Sequence, residues 1–197
     1  MRLLAAATFV ALTATATVAT ANPNQGLYDP LTGRYVVATP SNAGGGRAAA
    51  TPIPRETVSF KSSHRPGTIV VNVAERRLYL VQGDGTALKY GVGVGRPGFE
   101  WGGSKTVTRK AEWPSWTPPA QMLRRRPDLP RFMPGGPENP MGARAMYLGS
   151  SLYRIHGSNE PETIGQAVSS GCIRMLNDDV IDLYARVKVG AQVVVLR

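Results

Sequence analysis

Thiols are nearly absent from this sequence, since Cys172 is the one cysteine in 197 residues. No internal disulfide can form, so Cys172 is a buried inert thiol, half of an intermolecular bridge, or a reactive group. Acid is short as well: 13 Asp and Glu stand against 23 Lys and Arg, for a net charge of +10. The partner such a surface suits is anionic. No internal repeat is evident. Strands do not alternate with long helical patterns, which disfavours a doubly wound parallel sheet.

What is present begins with an export signal. Arg2 precedes an apolar, alanine-rich run from Leu3 to Val18 that ends in Ala19-Thr20-Ala21. The run is short and diluted by threonine, and its small residues are spaced like a signal-peptidase site. Residues 1–21 therefore read as a cleaved signal peptide that leaves no stable membrane span. No cysteine follows the run, so no lipid-anchored N-terminus is expected. Export to the periplasm or cell wall turns the basic surface away from nucleic acid and toward wall polymers and lipid headgroups. An oxidising compartment also makes an unpaired thiol more telling. Arg124-Arg125-Arg126 is the densest basic cluster, either a solvated loop face or a binding patch.

Residues 22–64 are rich in Pro, Gly, Ala, Ser and Thr, with Gly44-Gly45-Gly46 and Ala48-Ala49-Ala50 among them, and read as a flexible linker. From Pro66-Gly67 the character changes. Thr68–Val73 and Arg77–Val81 are β-branched or aromatic runs, and Gln82-Gly83-Asp84-Gly85 supplies a turn before Leu88–Val94, so residues 68–94 predict a hairpin or meander. Further strands are expected at Lys105–Lys110, Ala145–Leu148, Leu152–His156 and Gln192–Leu196. Asn177-Asp178-Asp179 predicts a helix start, with Val180, Ile181, Tyr184 and Val187 at helical spacing; a second short helix is expected over 161–168. Residues 113–140 hold eight prolines and resist regular assignment. Residues 65–197 are thus one mainly β domain with one or two short helices and a long Pro-rich loop.

Strand alternation puts Arg154 and His156 on one face. Gly157 follows, leaving space beside the imidazole. Sixteen residues after His156 comes Cys172, inside Ser169-Ser170-Gly171-Cys172-Ile173-Arg174. A thiol nucleophile needs a base, oxyanion donors and exposure. His156 can take the proton to form a thiolate and imidazolium pair. Backbone N–H groups near Gly171 and Cys172 can face the oxyanion, and a carbonyl near Ser170 can orient the imidazole. On residue types alone, a structural histidine and an inert thiol remain open.

These segments resemble the signature of the L,D-transpeptidases, the YkuD-type catalytic domain: His156-Gly157-Ser158-Asn159, then Ser169-Ser170-Gly171-Cys172-Ile173-Arg174-Met175. The likeness extends through Pro66–Val71, Tyr90–Gly95 and Asn139-Pro140-Met141-Gly142, and so covers about residues 65–197. It implies a mixed β-sandwich or barrel-like fold that cleaves a peptidoglycan stem peptide before its terminal D-alanine, with Cys172 holding the acyl group as a thioester. An amine of another stem would resolve it into a 3→3 cross-link; some members use a lipoprotein lysine, and some use water as L,D-carboxypeptidases. A non-catalytic wall-binding protein on the same scaffold is a further alternative. No metal or organic cofactor is implied, and acylation by carbapenems is. Many members have histidine where this chain has Ser170; the family assigns that position a backbone-carbonyl role in orienting the imidazole. Arg174 suits a substrate carboxylate or an ion pair holding the loop. Tyr147, Asn139 and Gly142 are candidates for the acyl-donor groove, Tyr147 alternatively for the core. Ser169 and Gly157 are further candidate substrate contacts, Ser169 alternatively bonding within its loop or toward His156. Trp101, Trp113 and Trp116 suit a lid or a structural Trp-Pro packing.

Overall fold

A computed structural model of the chain describes residues 53–197, with the backbone of two short strands, β1 (Leu27–Asp29) and β2 (Arg34–Val36), which pair antiparallel. The expected signal peptide lies outside the described residues. The chain divides into two units, Met1–Gly44 and Gly45–Arg197.

The strands of the second unit are β3 (Glu56–Ser59), β4 (Ile69–Asn72), β5 (Arg77–Val81), β6 (Thr86–Gly91), β7 (Val94–Gly95), β8 (Gly103–Glu112), β9 (Arg144–Leu148), β10 (Arg154–His156), β11 (Ala167–Ser169), β12 (Ile173–Arg174) and β13 (Gln192–Leu196). Its helices are α1 (Ala120–Arg125) and α2 (Asn177–Arg186). Nine strands form one sheet in the order β12-β10-β9-β8-β13-β4-β5-β6-β3, while β7 and β11 pair separately. The antiparallel meander β4-β5-β6 is the one the sequence predicts. Asp84 closes its second turn by accepting hydrogen bonds from the Thr86 N–H (3.1 Å) and Oγ1 (2.5 Å).

β13 runs parallel to β4 and antiparallel to β8. β8 changes partner along its length: Gly103–Thr106 lies along β13, and past an irregularity at Val107 and Arg109 the strand lies along β9. Both halves of the sheet contribute to a shared core, with Ile69, Val71, Leu78 and Val193 from one and Val107, Met146, Leu148 and Ile155 from the other. Val180 and Leu183 of α2 complete it, fully buried. Each such aliphatic side chain contributes roughly 1.5–3 kcal/mol by leaving water. The fold is mainly β with a mixed sheet and two helices, as the residue pattern predicts.

Three expectations need correction. The end of the supposed linker is structured: Glu56–Ser59 is the edge strand on β6, with Val58 opposite Ala87. Its β-branched Thr57 and Val58 meet an edge that would otherwise be unpaired, a local signal hidden in the composition of a long stretch. The helix expected over 161–168 is a single 3-10 turn, Pro161–Thr163, followed by β11. Gly165 at φ 85° takes the left-handed conformation that stops a helix. Residues 113–140 are largely irregular, yet they hold α1 and an antiparallel bridge in which Trp116 and Met133 exchange N–H···O bonds of 2.9 and 2.8 Å.

Candidate active site

The parallel pairing of β10 with β12 brings the two motifs together. Ile155 lies opposite Ile173 and His156 opposite Arg174. One step back in that register sets Cys172 beside Arg154. Alternation then sends Ile155 and Ile173 into the core, both essentially unexposed, and Arg154, His156, Cys172 and Arg174 to the other face. That face lines an open cavity of about 420 Å³, whose opposite wall includes Trp116, Met122 and Arg125. A second cavity of about 390 Å³ adjoins it and shares Trp116, Met122, Arg125, Pro140, Ser170 and Arg174.

Cys172 sits on the crossover between the small sheet of β7 and β11 and the edge of the large one. Strand-like bonds hold both flanks of this loop. On the incoming side Gly165 N–H donates to Val92 O (3.1 Å), Val94 N–H to Gln166 O (2.9 Å) and Arg96 N–H to Ser169 O (3.0 Å); on the outgoing side Gly93 and Arg174 exchange bonds of 2.9 Å. Inside the loop, Ser169 Oγ donates to Cys172 O at 2.6 Å and accepts from Gly171 N–H at 3.1 Å. Trp101 Nε1–H donates to Gly171 O at 2.7 Å, and its ring stacks on Tyr153. Gly171 has φ 106°, and a Cβ there would press on the Tyr153 ring. Glycine is required here by backbone conformation and by packing together.

His156 is buried, and its Nδ1 lies 2.6 Å from Gly157 O. The acceptor is thus the carbonyl of Gly157, not one near Ser170 as expected, because the chain bends directly after the strand. Ser170 instead accepts from Arg96 Nη1 at 3.2 Å. Burial pushes the imidazole down to about 4; Arg174 adds to this, and hydrogen bonds to the Gly157 and Met141 backbone oppose it. Burial also pushes the Cys172 thiol up, against the pull of Arg154 and Arg174. Both shifts favour the neutral thiol and the neutral imidazole over the thiolate and imidazolium pair expected from residue types. The thiol lies 3.7 Å from Leu152 O, its hydrogen-bond acceptor.

Other candidates fall into different places. Gly157 leaves room for Asn177, not for substrate: a Cβ would collide with Asn177 Oδ1. Tyr147 lies outside both cavity linings, its ring covered by Arg109 at 3.6 Å and Arg154 at 5.3 Å. Asn139 is a brace: its Nδ2 donates to Pro134 O (2.7 Å) and its Oδ1 accepts from Met141 N–H (2.9 Å). Its neighbours Pro140 and Met141 line the cavity instead, and Gly142, at φ 62°, packs against Gly157 and Ser158. Arg174 lines both cavities while pairing with Glu160 at 2.7 Å, so the ion-pair and cavity roles coexist. Of the tryptophans, Trp101 supports the loop and Trp116 covers the cavity; Trp113 lines neither.

Sequence reasoning missed Asn177. Expected as part of a helix start, it is the first residue of α2, and its side chain accepts from Ala143 N–H (2.9 Å) and donates to Ser158 O (3.1 Å). It thereby ties together the two turns, at Gly142 and Gly157, that flank the histidine. Two adjacent glycine-bearing motifs were the only sign that something large must fit between them.

Comparison with known proteins bears on the family and the fold. The family model described as the L,D-transpeptidase catalytic domain, YkuD, matches residues 66–195. A probable L,D-transpeptidase ErfK/SrfK of Escherichia coli K12 is 45% identical over 137 residues, covering 65% of this chain and 43% of that protein. The chain therefore spans under half the length of that curated relative. A crystal structure from Brucella melitensis, described as a probable carnitine operon oxidoreductase caia, is 45% identical with a TM-score of 0.51, covering 75% of this chain and 96% of the other. L,D-transpeptidase 3 of Mycobacterium tuberculosis shares the fold at 18% identity and a TM-score of 0.54, over 66% of this chain and 60% of that one. With the family model spanning most of the chain and the Cys172 and His156 motifs both inside it, the chain belongs to the L,D-transpeptidase catalytic-domain family.

Proposed function

We propose that the domain is an exported cysteine transpeptidase that transfers the acyl group of a peptidoglycan stem peptide from its terminal D-alanine to an amine. The observation that carries this reading is the β10–β12 register, which sets Cys172, His156, Arg154 and Arg174 on one cavity-facing surface. In the first half-reaction Cys172 Sγ attacks the scissile carbonyl while its proton passes to His156. The oxyanion meets the Cys172 N–H, since Gly171 N–H is already held by Ser169. His156 then protonates the departing amine as the C–N bond breaks, leaving the acyl group as a thioester. In the second half, His156 takes a proton from the incoming amine, which attacks the thioester and expels Cys172 as the thiol. A neutral imidazole can accept the proton, with less driving force than a ring titrating near the operating pH. Arg154 and Arg174 offer guanidinium groups to the carboxylates of the stem. No metal or organic cofactor enters any step.

Incubating the purified protein with tetrapeptide muropeptides and weighing the products tests substrate, reaction and acceptor together. Cross-linked dimer, lost in Cys172→Ala, is the expected result. Tripeptide alone would make the domain an L,D-carboxypeptidase, and a product seen only with a lysine-bearing lipoprotein peptide would name that acceptor. Binding without turnover would reduce it to a wall-binding scaffold.

A further inference from the structure

The region matched by the family model starts at residue 66, yet the structured unit begins earlier. From Ile53 to Phe60 the chain lies along the domain. Glu56–Ser59 pairs with β6, and the Phe60 ring stacks on Tyr79 at 4.8 Å. Ahead of that strand two side chains make contacts of a different kind. Ile53 sits over two glycines: a Cβ on Gly91 would lie 2.7 Å from Ile53 Cβ, and one on Gly165 would lie 3.0 Å from Ile53 Cδ1. Arg55 reaches α2, 3.3 Å from Asp182 and 3.8 Å from Asp179.

Those contact points bracket the nucleophile. Gly165 opens the flank leading into Ser169 and Cys172, and Gly91 begins the stretch on which both flanks of the loop hang. Asp179 and Asp182 lie in the helix that starts just beyond Arg174. Asp179 is 6% exposed, and its Oδ2 has no hydrogen-bond partner. Arg55 therefore supplies the cation that a buried carboxylate needs. Tyr90 donates to Asp182 at 2.7 Å, which joins the carboxylate end of this cluster to the residue next to Gly91.

We propose that Ile53–Phe60 is a strap that holds the two flanks of the Cys172 loop in register, with Ile53 and Arg55 as positioning residues for the nucleophile. Ile53 fixes the incoming flank through Gly165, and Arg55 fixes the outgoing one through α2. The inference rests on the reading of Cys172 as the nucleophile. Loss of either contact lets the loop relax, and displacements of about 1 Å at a reacting atom cost on the order of a hundredfold in rate.

The test uses the full chain carrying Ile53→Ala, Arg55→Gln and both together. Carbapenem acylation of Cys172, followed by intact mass, is resolved into a maximal rate constant and a half-saturating concentration, beside thermal unfolding of the same samples. The double variant should lose about tenfold in the rate constant with its half-saturating concentration unchanged, and Arg55→Lys should recover most of its share. A wild-type rate constant per folded molecule in these variants overturns the strap's role. If the double variant does not fold, the single variants decide by the same criterion. Failure of the wild type to acylate at Cys172 would indict the nucleophile reading instead; iodoacetamide alkylation would then compare loop geometry without assuming any enzymatic reaction.

Discussion

Two walls of the same cavity are built by opposite means. The wall bearing Cys172 is a lattice of backbone hydrogen bonds to residues 92–96, tightened by Ser169, Trp101 and the glycine at 171. The facing wall comes from residues 113–140, where α1 buries no residue and Phe132 is 59% exposed. The Trp116–Met133 bridge, the Asn139 side chain and short-range turn bonds are among the contacts that hold that arm together. In the proposed reaction bonds are made and broken against the lattice, where a small displacement is costly, and the arm supplies contact area, where it is not. Substitutions on the first wall should therefore change the rate of chemistry, and substitutions on the second should change only how much ligand is needed.

The largest effect is expected at His156. His156→Ala should slow carbapenem acylation by about 10²–10⁴-fold at neutral pH, the contribution of a positioned base. In the wild type, alkylation of Cys172 should keep rising with pH beyond the ordinary thiol range, because the thiol is pushed up and the imidazole down. A flat, fast rate from pH 5 onward would mean a preformed ion pair and would reverse this account of the rigid wall.

An intermediate effect is expected on the arm. Trp116→Ala or Met122→Ala should raise the half-saturating carbapenem concentration by roughly 5- to 30-fold, the loss of one to two kcal/mol of contact. The maximal acylation rate should stay near wild type. A fall in that rate would show that the arm also sets the geometry of reaction, and the contrast between the walls would dissolve.

The last effect is on stability, and it concerns the α2 carboxylates that Arg55 pairs with. Asp179 is pushed up to about 6 by burial; Arg55 opposes this and Asp178 and Asp182 add to it, while Tyr90 and Arg186 hold Asp182 itself. Its ionisation disfavours the fold, so its contribution worsens as pH rises from the ordinary carboxylate value through about 6. His156 acts oppositely: buried as the neutral ring, it loses stability as pH falls from the ordinary imidazole value toward about 4. The two offset each other over a shared acidic window. Asp179→Asn should gain about 1–3 kcal/mol in chemical denaturation at pH 8 and nothing at pH 3, and should lose stability on acidification more steeply than the wild type. Parallel curves for the two proteins would refute the assignment to Asp179.

Much of the scaffold was legible because its signals are local. The meander of residues 69–91 shows in β-branched runs and in the Asp84-Gly85 turn, and α2 shows in the Asn177-Asp178-Asp179 start and the spacing of Val180, Ile181, Tyr184 and Val187. The site was legible only as two motifs. That Asn177 fills the space between two glycines depends on which elements become neighbours, and residue types carry no record of that. That His156 turns to Gly157 O depends on a bend in the backbone that composition does not show, while the bond of Ser169 within its own loop is one of two readings its position allows. Edge strand β3 escaped for a related reason: four residues inside a Pro- and Ala-rich stretch become a strand only because β6 offers them an edge.

Strand β13 imposes an order on assembly. It follows every other described element, yet it lies between β8 and β4, and among the described residues it is the strand that joins the two halves of the large sheet. Until Gln192–Leu196 has emerged, the meander has no partner across the sheet and the core between the halves stays open. Closure therefore waits for pairings between residues far apart along the chain, a slow class of contact to form. A polypeptide handed on from its N-terminal end would keep the two halves of this sheet apart until β13 is released.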